Sequence, residues 1–261
     1  MSRRSRLDYA YAVGRVRALE RYLVERAVFR EAAEASDFSA ALKIIYDAGR
    51  YPEDLIKAQN TAELDAVLFR ETLALRREMT EILLDKEVLD AFLLEDEPEK
   101  ALAAAERSGY SFLIDYVRHR IDLGNVKILC RAKYLGWPLL KLKKRLLHGG
   151  RIELKVFVDL YSLPFSEMCD RSEVSLYCEL IMRGTDVLDE RETFVVLESG
   201  IENFLMNYLR RARRFTFGPE PVFGYGAGKK KEIGLVRLLG VGKMTRLPVD
   251  LLKERISETY V

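Results

Sequence analysis

Cysteine, histidine and tryptophan are scarce in this chain of 261 residues, which carries three, two and one of them. Cys130, Cys169 and Cys178 are an odd number in a chain long enough to build its core without stapling. They lack CxxC spacing and stand in no zinc-ligand pattern with His119 or His148, so neither a metal nor a cofactor is expected. Thiols so placed point to a reducing compartment. Long apolar runs are missing as well: none approaches the roughly 18 uncharged residues of a membrane helix. The start, Ser2-Arg3-Arg4-Ser5-Arg6, has the charge of a signal peptide, but Asp8, Arg15 and Arg17 interrupt any apolar region behind it. A cytoplasmic protein is expected, reaching a membrane only through a partner. Charge of one sign is lacking too. Forty-three basic residues against 41 acidic leave +2, without the basic excess of an obligate nucleic-acid binder. Seven prolines suit a helical chain better than a sandwich of short strands.

What is present is a chain 49% hydrophobic and 32% charged, too apolar for disorder and long enough for one large domain or two modest ones. Apolar spacing of three or four residues predicts helix nearly everywhere. One stripe runs from Leu7 to Val28. Asp37 is placed to cap a helix over 38–48 that stops at Gly49. Thr61 is placed to cap a long helix through Leu64, Leu68, Leu75, Met79 and Ile82. Pro98 and Gly109 bracket another. Further helices are predicted from Ser111 to about Leu135 and from Asp189 to Phe215. Residues 151–156 alternate as a half-buried strand does, yet Leu154, Phe157, Val158 and Tyr161 fit one helix face. A strand without a neighbour leaves its ladder unpaired, so a short helix is favoured. The linkers, at 49–60, 94–98, 149–151, 184–186 and Gly218, are short and polar.

Two stretches align at an offset of 110 residues. Asp122-Leu-Gly-Asn-Val-Lys-Ile-Leu-Cys-Arg-Ala-Lys133 matches Glu232-Ile-Gly-Leu-Val-Arg-Leu-Leu-Gly-Val-Gly-Lys243, and the same offset brings Pro138 onto Pro248. Acid, glycine, base and proline agree together, which predicts a duplicated helical unit built round a long helix.

Chemistry-bearing motifs are few. Gly224-Tyr-Gly226-Ala-Gly228-Lys229 is one residue short of a phosphate-binding loop, and Lys230 stands where its Ser or Thr belongs. Read as structure, these glycines either let a buried helix approach its neighbours or break into a loop. His119, between Arg118 and Arg120, reads as solvated or partner-facing. His148 reads as a helix C-terminal residue. Three basic clusters, 141–145, 210–214 and 229–231, are solvated helix ends by default. The alternative function is a helical adaptor that binds nucleic acid or an acidic partner through them.

Three islands carry a family likeness. Phe217-Gly218-Pro219-Glu220-Pro221-Val222, with Tyr225, Glu232, Arg237, Gly242-Lys243 and Pro248, resembles the end of the C subunit of the V/A-type rotary ATPases, called the d subunit in the eukaryotic pump. The helix holding Asp122, Asn125, Lys127, Arg131 and Lys133 is similar to the family's internal helix. Tyr9-Ala-Tyr11 onward to Glu20 is similar to its opening helix. The resemblance implies an all-α chain of pseudo-repeated lobes (1–110, 111–188 and 189–261) forming a funnel-like socket, with one repeat fewer than usual. It implies a non-catalytic part that joins the central-stalk subunits D and F to the membrane proteolipid ring and transmits torque for proton or sodium transport. Membrane contact would be indirect, through the ring, and nucleic acid would not be a partner. Arg210, Arg211, Arg213 and Arg214 are the expected partner interface.

Overall fold

The computed structural model describes residues 4–261, so Ser2 and Arg3 of the basic start lie outside the described residues. Among these the chain is all-helical. In order come α1 (Ala10–Leu19), α2 (Arg26–Glu34), α3 (Phe38–Ala48), α4 (Asp54–Lys57), α5 (Thr61–Ile82), α6 (Lys86–Leu93) and α7 (Pro98–Ser108). Then follow α8 (Ser111–Tyr134), α9 (Leu139–Arg145), α10 (Leu154–Tyr161), α11 (Cys178–Arg191), α12 (Val195–Arg210), α13 (Pro219–Met244) and α14 (Val249–Arg255). Short 3-10 turns fill 165–170, 172–177 and 211–214.

The chain forms two compact units, one of Met1–Leu93 with Met206–Val261 and the other of Leu94–Leu205. The lobes read from the sequence describe repeats along the chain, whereas these units are defined by contact. In the first unit α13 is the central element, packed against α5, α3, α2, α6 and α1. Such a helix has no solvent face to spare, and α13 is buried along most of its 26 residues. Its glycines permit the crowding. A Cβ on Gly226 would sit 2.6 Å from Met79 Cε, and one on Gly228 would sit 2.5 Å from Tyr260 Cβ. The helix runs unbroken through 224–228, so of the two sequence readings the buried helix holds. Each glycine costs roughly 1 kcal/mol of helix propensity, and neighbours packed at this range offset it.

In the second unit α8 packs against α7, α9 and α10. Its core gathers Leu129, Phe157, Leu160, Met168, Ile181 and Leu197. The short helix favoured for 151–156 is α10, beginning at Leu154; it buries Val156, Phe157 and Leu160 most fully, and Leu154, Val158 and Tyr161 of the expected face pack half-buried against the same core. Pro98 at the first helical position, and Gly109 at φ 69°, bound α7 as the sequence requires.

Several expectations are corrected. The stripe from Leu7 to Val28 is not one helix: Leu23 is extended (φ −75°, ψ 138°), which frees the Val24 N–H for a side-chain acceptor. The stretch from Asp189 to Phe215 also breaks. Glu192 closes α11 in a left-handed conformation (φ 53°), and α12 starts afresh at Val195. Apolar periodicity survives one reversed φ, so it cannot report the break. Asn60, not Thr61, caps α5, accepting from Glu63 N. Gly184, expected in a linker, lies inside α11, where Leu197 packs on it. His148 stands beyond the end of α9, in a loop. Cys169 and Cys178, read as thiols, are paired as a disulfide. Cys130 is buried, which pushes its thiol up to about 12.

Candidate functional site

The residues aligned in the sequence occupy matching places in the two units. Each long helix carries a short helix beside it, tied at both ends. In the first unit, Glu232 on α13 accepts the Val24 N–H at 2.6 Å, just before α2. Eleven residues on, Lys243 donates to the carbonyls of Ala33, at 2.9 Å, and Ala35, at the end of α2. In the second, Asp122 on α8 accepts the N–H groups of Arg151 and Ile152, each at 3.1 Å, just before α10. Eleven residues on, Lys133 donates to Tyr161, at 3.1 Å, and Leu163, at the end of α10. Long and short helix therefore run in the same direction. An acid meets the positive N-terminal end and a lysine the negative C-terminal end, the arrangement the helix dipole favours.

A tyrosine completes each acid's environment. Tyr51 donates to Glu232 at 2.8 Å and Tyr177 to Asp122 at 3.1 Å. The partner three residues before the acid differs: Lys229 donates to Glu232 at 2.5 Å, whereas His119 Nδ1 meets the Tyr177 hydroxyl at 2.7 Å. His119 is thus buried, contrary to the solvated role its arginine neighbours indicated. Lys229, expected in a solvated cluster, is buried as well. Both errors share a cause: neighbours in sequence on a helix point in different directions, so the charge of Arg118 and Arg120, or of Lys230 and Lys231, does not tell where His119 or Lys229 points. Burial pushes the Asp122 carboxyl above its ordinary value, although its two N–H donors and Tyr177 pull it back. Burial, reinforced by the facing carboxylates, pushes the Tyr51 and Tyr177 hydroxyls well up. Burial also pulls the Lys133 ammonium down.

Each of the two tyrosines borders a cavity. One of about 450 Å³ lies beside Tyr51 and Lys229 with Arg50, Glu71 and Glu78. The other, of about 540 Å³, lies beside Tyr177 and Asp122 with Arg151 and Glu173. In both units the acid is committed to holding backbone and the hydroxyl to holding the acid.

The remaining signature residues are scaffold or surface. Asn125 grips the backbone of Leu147, donating to its carbonyl at 2.9 Å and accepting its N–H at 2.8 Å. Lys127 and Arg131 converge on Glu198 at 2.8 and 2.6 Å. Gly218 (φ 110°) turns the chain into Pro219 and the buried Pro221, and Glu220 beside them is held by Arg6 at 2.8 and 3.0 Å. Tyr225 donates to Glu78, and Gly242 lies against Leu252. Arg237 pairs with Asp65 on the surface at 2.7 Å, and Tyr11 is 77% exposed. In the arginine run, Arg210 pairs with Glu258 at 2.9 Å, Arg213 approaches Glu20 at 3.8 Å, and Arg211 lies over the Tyr208 ring. Much of that run therefore serves the unit that contains it. Sequence reasoning missed Tyr51, Tyr177, Lys229 and His119. The offset of 110 that pairs Asp122 with Glu232 also pairs His119 with Lys229, and was the signal available.

Among the described residues no helix is long and apolar enough to cross a membrane. The C subunit of the V-type sodium ATPase of Enterococcus hirae is 26% identical over 158 residues, covering 59% of this chain and 47% of that protein. The chain thus matches about half the length of this curated relative. The ATP synthase (C/AC39) subunit family matches residues 98–255, a span that holds both long helices and the whole tied pair of α8 and α10. With more than half of its residues inside that match, the chain belongs to the ATP synthase (C/AC39) subunit family.

Proposed function

We propose that this chain is a non-catalytic rotor subunit of a V/A-type ATPase. It joins the central-stalk subunits D and F to the membrane proteolipid ring and passes torque between ATP turnover and the movement of protons or sodium ions. The observation that carries this reading is the tied helix pair inside the family span. A part that transmits torque must keep its helices from sliding or fraying, and close-packed helices tied at both ends resist both. Asp122 and Tyr177, like Glu232 and Tyr51, are occupied in that tie, which favours a mechanical over a chemical role. The chain then sits on the cytoplasmic face as a peripheral component. Of the arginine run Arg210, Arg211, Arg213 and Arg214, the last three are exposed and are proposed to face a partner, with Arg210 beside them held by Glu258.

The test is purification of the tagged chain from detergent-solubilised native membranes. Central-stalk and proteolipid subunits, together with ATPase activity, should come with it. Recovery of the chain alone, with no ATPase subunit at any salt concentration, would overturn the assignment.

A further inference from the structure

Helix α9 takes no part in the ties described above, and its surface is unlike that of its counterpart. It is a single short helix anchored by Leu142, which is fully buried. Helical periodicity places Leu140 and Lys144 opposite that anchor, with Lys141 and Lys143 to either side. Leu140 is 65% exposed, and the preceding turn adds Leu135 at 59%. Tyr134 and Leu139 are exposed beside them. Lys141, Lys143, Lys144 and Arg145 are all exposed, and none forms an ion pair among the described residues. Lys141 instead lies 4.1 Å from the centroid of the Trp137 ring.

The matching helix of the other unit, α14, is a control supplied by the fold. Asp250 stands at the position of Leu140 and Glu254 at that of Lys144, and Lys253 pairs with Glu34. α14 also exposes Val249 and Leu251, so apolar side chains in solvent are common to both helices, but folding this helix demands neither a uniform positive charge nor a leucine opposite the anchor. The cations of α9, and Leu140 among them, need another reason.

We propose that α9 and the turn before it dock on an anionic phospholipid surface, with Leu140 entering the headgroup boundary and the four cations facing lipid phosphates. Exposed leucines beside a short polybasic run are the chemistry that such a surface holds. Lysine stems can lie along the apolar boundary while their ammonium groups stay with the phosphates. Three of the four cations are lysines, a residue depleted from protein–protein interfaces and poorer than arginine at gripping carboxylates. That favours lipid over an acidic protein. The contact is direct, beyond the ring-mediated attachment of the rotor assignment.

Flotation of the purified full-length chain with vesicles tests it. Phosphatidylcholine vesicles should leave the chain behind, whereas vesicles of phosphatidylcholine with phosphatidylglycerol should carry it, less so as salt rises. Each basic residue near such a surface is worth roughly fivefold in binding, so the double variant Lys143→Glu/Lys144→Glu should bind more than tenfold more weakly. Leu140→Ser should weaken binding with the charge unchanged, and Leu251→Ser on α14 should not. Far-ultraviolet circular dichroism confirms that each variant is folded. Failure to bind anionic vesicles overturns the proposal. So does binding indifferent to both α9 variants, or an α9-dependent complex with an acidic protein or nucleic acid while vesicles are ignored. The vesicles contain no protein, so any of these results leaves the rotor assignment standing.

Discussion

Replacing Asp122 by alanine should loosen the second unit by an amount the structure sets. Its carboxylate serves two buried donors, the Ile152 N–H and the Tyr177 O–H, and the partly buried Arg151 N–H. A buried donor left without an acceptor costs about 1–3 kcal/mol. Removing a carboxylate whose ionised form burial disfavours gives some of that back. A net loss of about 2–4 kcal/mol follows, a fall of about 1–2 M in the urea midpoint for a slope near 2 kcal/mol/M. Trp137 is the chain's one tryptophan and lies in the same unit, so its fluorescence is the readout. Tyr177→Phe removes one of the same bonds, so the double variant should lose about 1 kcal/mol less than the sum of the singles. The pH dependence has a definite sign. A carboxyl whose folded pKa is raised contributes stability that is full below its unfolded value of about 3.9 and is lost as pH rises through the folded value. The gap between wild type and Asp122→Ala should therefore be wider near about pH 4 than near about pH 8. A midpoint shift under about 0.5 M, or a strictly additive cycle, would refute the role given to this carboxylate.

Two further outcomes follow from packing and burial. Gly234 on α13 has nothing within 4 Å of where a Cβ would stand, so Gly234→Ala should raise stability by about 1 kcal/mol; Gly228→Ala, meeting Tyr260 at 2.5 Å, should lower it by about 1–3 kcal/mol. Equal effects of the two in urea unfolding would contradict the packing of α13. The hydroxyls of Tyr51, Tyr116, Tyr177, Tyr225 and Tyr260 are all pushed up, by burial first. Their stabilisation is full below the unfolded value of about 10 and lost as pH rises through the folded values, so phenolate absorbance from these five should appear together with loss of helix. Their titration near about pH 10 with the helices intact would contradict it.

Much of this architecture was legible in the sequence where one local force decides. Asp37 caps α3, accepting the Ala40 N–H at 2.9 Å, and Pro98 and Gly109 bound α7, because capping and glycine's freedom at positive φ act within a few residues. The alignment of Asp122 with Glu232 and Lys133 with Lys243 was equally legible, since acid, glycine and lysine recur at fixed spacing. What those residues grip was not. The acceptors of Lys243 lie more than 200 residues away in the chain, and no local pattern connects Ala33 and Ala35 to it. His119 was misread because charge on Arg118 and Arg120 says nothing about the face between them. The arginine run was read as free charge because Glu258 and Glu20, its partners, lie far off in sequence.

The spacing of the ties makes each long helix a ruler. Glu232 and Lys243 are eleven residues apart, as are Val24 and Ala35, which they hold; Asp122 and Lys133 hold Ile152 and Leu163 across the same interval. At 1.5 Å per residue that is about 16 Å, and one residue added to either member rotates everything beyond it by about 100°. The last carbonyls would then face away from the lysine. Substitution within 24–35 or 152–163 can be compensated by repacking, but a change of length in one helix needs the same change in the other. Insertions and deletions should therefore be tolerated in the connections outside these spans and not within one member alone, which would make the interval a tighter constraint than most of the side chains along it.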